Sequence, residues 1–129
     1  MTAIPLAATD GNAATDQDAM WTPLLISPNH PEYPSGHSTA SGAAATVLAA
    51  YFGEETSLTF DSDVMLGVTR SITSFSAALD EIKDARIFAG IHFQSACDDG
   101  QATGQKVANY ILDNSLQRSH GKGVGQLRR

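Results

Sequence analysis

Residues 31–51 read PEYPSGHSTASGAAATVLAAY, and the change of character inside this stretch decides the fold. Pro31 and Pro34 hold the approach extended, and a residue that precedes proline is steered away from helical geometry, so Tyr33 and Pro34 belong to a loop. From Ser38 to Tyr51 the residues are small, apolar and alanine-rich, which predicts a helix that neighbours can approach closely. Ser35 is the natural N-cap, placing Gly36, His37 and Ser38 in a first turn whose backbone N–H groups have no partner inside the helix. A helix start of this kind favours anions: it carries the positive end of the dipole, Gly36 lets a ligand approach the main chain, and His37 exchanges a proton near neutral pH. The competing reading is a capped core helix that contains a histidine, and the short motif by itself leaves both open.

The chain has 129 residues, 42% of them hydrophobic, which suits one domain and argues against wholesale disorder. No apolar run reaches the roughly 18 residues expected of a membrane span. The formal net charge of −6 disfavours nucleic acid as a partner, because phosphate backbones are held by Lys and Arg. Distribution matters more than the total. Residues 1–69 contain Asp10, Asp16, Asp18, Glu32, Glu54, Glu55, Asp61 and Asp63 with no Lys or Arg, so an oxyanion at Gly36 must be neutralised from beyond Thr69 or from outside the chain. Cys97 is the sole cysteine, which excludes an internal disulfide, and its neighbours Asp98 and Asp99 disfavour a thiolate.

Working outward, residues 1–35 read as irregular, with five prolines and the turn-rich TDGNAATDQD, pinned to the body by Trp21, Leu24, Leu25 and Ile26. The helix from Gly36 to Phe52 is expected to stop at Gly53. Glu54–Asp63 is a connection with an extended piece at Ser57–Phe60, and a short helix from Asp63 ends before Gly67. Thr73 or Ser74 caps a helix running to about Gly90, with Phe75, Ala78, Leu79, Ile82 and Ile87 at helical spacing. A last helix spans about Gly100 to Leu116, with Asp98 or Asp99 near its positive end. Residues 118–129 form a glycine-rich basic tail, expected to be flexible. With no convincing β-hairpin, the class is all-α, a helical bundle over residues 1–117.

Arg86 and His92 lie in DARIFAGIHF. An arginine among Ile87, Phe88 and Ile91 needs a partner, because burying an unpaired guanidinium costs several kcal/mol. The bland reading pairs it with Asp80, Asp84 or Glu32 and satisfies His92 with backbone carbonyls. On a straight helix the two lie about 9 Å and about 120° apart, so they can share one ligand only if the helix breaks near Gly90.

Together, PSGHS and ARIFAGIH resemble the superfamily of vanadium-dependent haloperoxidases and type 2 phosphatidic acid phosphatases. The haloperoxidase branch fits best, through HPEYPSGHSTASGAAA, GVTRSITSFSAA and GIHFQSACDDGQATGQKVANYIL. The similarity covers roughly Met1–Leu116 and implies a helical bundle, the C-terminal part of a larger one. It also implies a site. Ser35 and the Gly36 N–H would bind vanadate or phosphate, and His37 would be the acid–base residue. Arg86 would clamp the oxyanion. His92 would coordinate vanadium in a peroxidase or attack phosphorus in a phosphatase. The implied peroxidase reaction takes hydrogen peroxide and a halide, with the metal unchanged in oxidation state.

Two departures qualify the resemblance. The family pattern has a lysine and an Arg-Pro pair upstream of PSGH, whereas here no Lys or Arg precedes Arg70. The expectation is therefore a chain that begins just after the missing arginine, incomplete, with weak or no activity alone. The second is Ala96, where the broader pattern often has an acid that orients the histidine ring. A backbone carbonyl could replace it, and phosphatase chemistry leans on that acid more than peroxidase chemistry does. Two alternatives stay open: a phosphatase with a histidine nucleophile on the same scaffold, and a non-catalytic helical fragment whose uncovered apolar face makes it self-associate. A serine hydrolase built on Ser38 is disfavoured, because YPSG supplies no strand for a nucleophile elbow. His30 and His120 read as solvent-exposed.

Overall fold

The computed structural model describes residues 3–115; the expected basic tail lies outside them. A short 3-10 helix, Ile4–Thr9, is followed by helix α1 (Gly36–Phe52), strands β1 (Leu58–Asp61) and β2 (Thr69–Ile72), and helices α2 (Phe75–Phe88) and α3 (Gln94–Asn114). The helical class is as expected, with one addition. β1 and β2 pair antiparallel, Leu58 opposite Ile72 and Asp61 opposite Thr69. Instead of a helix from Asp63, the chain turns: Ser62 N–H donates to the Val68 carbonyl and Val68 N–H to the Met65 carbonyl. Gly67, at a φ of 81°, supplies the left-handed residue that closes such a turn.

The α1–α3 contact organises the bundle, and glycine makes it. A methyl group at Gly104 would collide with the Thr39 carbonyl oxygen and lie 2.8 Å from Ala43 N. One at Gly100 would lie 2.6 Å from the Ser35 carbonyl oxygen, and one at Gly42 would be 2.9 Å from the Gln101 carbonyl oxygen. The helices therefore meet backbone to backbone, with Ala96, Cys97 and Ala108 buried along the same seam. On the other flank of α1, α2 buries Phe75 and Leu79.

α3 starts six residues earlier than the sequence suggests, at Gln94 after N-cap Phe93. Asp98 and Asp99 therefore sit inside the helix rather than at its positive end. Asp98 accepts from Gln94 and pairs with Lys83 at 2.7 Å, and Asp99 accepts from the Tyr33 hydroxyl at 3.0 Å. The N-terminal arm is pinned differently as well. Trp21 and Pro23 press on Gly90, where a methyl group would come within 3.0 Å of both, while Leu24, Leu25 and Ile26 are exposed.

Candidate active site

Ser35 caps α1 as expected. Its hydroxyl oxygen accepts from Ser38 N–H at 3.3 Å and from the Ser38 hydroxyl at 3.1 Å, leaving its own proton to donate elsewhere. Both serines are fully buried. The neighbouring Gly36 faces open space, with no atom within 4 Å of where a methyl would stand. Gly36 and His37 line an open, largely apolar pocket of about 550 Å³ together with His30, Pro31, Tyr33, Pro34 and Ala40.

Arg86 and His92 come together because α2 breaks where Gly90 permits it. Gly90 adopts a φ of 73°, a conformation costly for other residues. The chain then folds back so that Ile91 N–H and His92 N–H both donate to the Arg86 carbonyl, at 3.2 and 3.4 Å. His92 ends fully buried. Its Nδ1 lies 2.5 Å from the Glu32 carbonyl oxygen. A carbonyl can only accept, so Nδ1 carries a proton and, in the neutral ring, Nε2 holds the lone pair. That Nε2 and the buried Arg86 Nε find no hydrogen-bond partner among the described residues. No ion pair of Arg86 with Asp80, Asp84 or Glu32 is seen among the described residues; Arg70 pairs with Glu81 and Lys83 with Asp98.

Electrostatics places His37 in the same neighbourhood. Its pKa is held below the ordinary 6.5 by partial desolvation first, then by electrostatic interaction with Arg86, His30 and His92. His30 is the residue that reading the sequence missed. Its ring stacks on His92 with centroids 5.4 Å apart and planes 14° from parallel, so it stands between the buried histidine and the pocket that it lines with His37. The available signal was HPEYPSGH itself: a proline-rich strap too short to hold His30 far from His37. Ala96, which stands where an orienting acid was sought, is fully buried, and its carbonyl accepts from Ser35 N–H at 2.9 Å.

A half-buried guanidinium with a buried Nε, three imidazoles and a helix start form a donor-rich group suited to an oxyanion. The model of the VCPO second helical-bundle domain matches residues 5–121. The chain belongs to the vanadium haloperoxidase family. A vanadium-dependent bromoperoxidase of Corallina pilulifera is 33% identical over 98 residues, 67% of this chain and 16% of that protein. The structure of a bacterial vanadium-dependent iodoperoxidase superposes with a TM-score of 0.69 at 39% identity, covering 74% of this chain and 24% of that one. An apo-type bacterial vanadium-dependent chloroperoxidase, at 22% identity and a TM-score of 0.56, covers 69% of this chain and 22% of its own length and shares the fold. This haloperoxidase domain thus spans less than a quarter of the length of these relatives. Among the described residues, no helix is long and apolar enough to cross a membrane.

Proposed function

We propose that this chain supplies the oxyanion-holding part of a vanadium haloperoxidase active site, and that the enzyme oxidises a halide with hydrogen peroxide. One observation carries the reading: His92 Nε2 and Arg86 Nε are both buried and unpartnered, an arrangement that costs about 1–3 kcal/mol per atom unless a ligand satisfies it. His92 Nε2, its lone pair directed by the Nδ1 bond to Glu32, would be the ligand to vanadium. Arg86, the Ser35 hydroxyl and the Gly36 N–H would donate to the vanadate oxygens. When bound, vanadate supplies a Lewis-acidic centre that activates hydrogen peroxide towards a halide. His37, its pKa lowered first by partial desolvation and then by Arg86 and the neighbouring histidines, is suited to take a proton as peroxide enters and return it as water leaves.

Arg86 is the arginine that the described residues bring to the site. Each charge-assisted bond from its guanidinium to the oxyanion contributes about 1.5–3 kcal/mol. The test is to titrate orthovanadate into the chain and then assay peroxide-dependent oxidation of chloride, bromide and iodide, since the relatives are named for all three. Saturable binding with vanadate-dependent halide oxidation supports the reading. Hydrolysis of a phosphomonoester, inhibited by vanadate, would instead assign a phosphatase.

The inert, self-associating fragment is favoured by a different observation. Leu24, Ile26 and Phe88 are 78%, 96% and 77% exposed, and the Leu25 N–H bond to the Ala89 carbonyl brings the two segments that carry them together. Sedimentation of an oligomer that binds no vanadate would establish that alternative.

A further inference from the structure

We propose that the Glu32 side chain is the positioning residue that fixes the tautomer of His92. The inference deepens the functional reading above and rests on it for the identity of the ligand, although its own geometry stands apart. Glu32 touches the α2–α3 corner twice. Its carbonyl oxygen accepts from His92 Nδ1, and its carboxylate Oε1 accepts from Phe93 N–H at 2.8 Å, lying 3.9 Å from the same Nδ1.

The first contact selects the ring's tautomer, but a backbone carbonyl on a proline-flanked loop has no hold of its own on a distant turn. The second contact supplies that hold. Phe93 is the N-cap of α3 and offers no side-chain cap, so its N–H is free to be bound by the loop. By clipping residue 32 to residue 93, the carboxylate keeps the carbonyl of residue 32 in register with the ring of residue 92. Neutral His92 is thereby held as the Nδ1–H form, with the lone pair on the buried, unpartnered Nε2. Ala96 provides no carboxylate within the first turn of α3, so orientation of the ring passes from the helix to the loop.

This account turns on reach and hydrogen bonding rather than on charge. Gln at position 32 keeps an acceptor oxygen at the same reach, Asp keeps the charge but falls one methylene short, and Ala removes both. Long-range ¹⁵N–¹H correlation spectra of the full chain, taken at a pH where the ring is neutral, report the His92 tautomer directly. Orthovanadate titration of the same samples reports affinity. The wild type and Glu32→Gln are expected to show the Nδ1–H form alone and equal affinity. Glu32→Asp and Glu32→Ala are expected to show mixed tautomers and an affinity about 10-fold lower, the range typical of groups that orient a metal ligand.

A single Nδ1–H tautomer retained in Glu32→Ala overturns the proposal, as does retention in Glu32→Asp with loss in Glu32→Gln. Should Glu32→Ala not fold, the order of Gln against Asp still decides. A wild type that shows the tautomer pattern but binds neither vanadate nor phosphate sinks the functional reading and leaves the positioning role standing.

Discussion

At the scale of single residues, the site combines atoms that lack partners with one surface that lacks bulk. Gly36 opens onto empty space, so Gly36→Ala is expected to fold with an unchanged thermal midpoint while weakening orthovanadate binding at least about 10-fold, measured by calorimetric titration; a methyl there stands where the oxyanion would meet the helix start. Arg86→Ala removes charge-assisted bonds of about 1.5–3 kcal/mol, and a loss of about 10- to 100-fold in affinity is expected in the same titration. His37 gives the pH dependence. Its folded pKa lies below the unfolded 6.5, so well above 6.5 neither state binds the extra proton and stability is complete. As pH falls from 6.5 through the lowered folded value, the unfolded chain takes the proton first and stability is lost. Urea midpoints recorded from pH 7.5 to 5 should fall across that window, and the fall should shrink in Arg86→Ala, where one of the charges depressing the pKa is gone.

At the scale of elements, the close seam between α1 and α3 sets the site. Gly100 abuts the Ser35 carbonyl, so Gly100→Ala pushes on the very residue that caps α1; overpacking of this kind costs about 1–3 kcal/mol, and the thermal midpoint and vanadate affinity are expected to drop together. Ser35, Gly36 and α1 were legible in the sequence because capping and alanine content act locally. So was the break at Gly90, and the structure adds what no spacing rule contains, two amides turned onto one carbonyl so that Arg86 and His92 become neighbours. The start of α3 was misplaced because Phe93 caps it with backbone alone and gives no side-chain signal. The extended piece expected at Ser57–Phe60 overlaps β1, but its pairing with β2 was missed because both strands are short and nearly every residue in them is exposed, without the alternation that marks a half-buried strand. His30 was rightly read as an exposed loop residue, but its stacking on His92, more than sixty positions away, left no local signal.

For the molecule as a whole, the site joins parts far apart in the sequence: the start of α1, the end of α2, the corner before α3 and the strap of residues 30–34. A ligand that engages all of them favours the native state alone. Orthovanadate at a hundred times its dissociation constant is expected to add about 2.7 kcal/mol to stability. Scanning calorimetry should register that as a raised midpoint in the wild type, and no rise in His92→Ala. The glycine seam also carries a lesson for engineering. Because α1 and α3 already touch through their main chains, there is no slack between them to resculpt, and directed evolution of this scaffold should leave that axle alone. Variety belongs at the mouth, where Pro31 and Ala40 stand at the opening and can be exchanged without disturbing the bearings on which the helices sit.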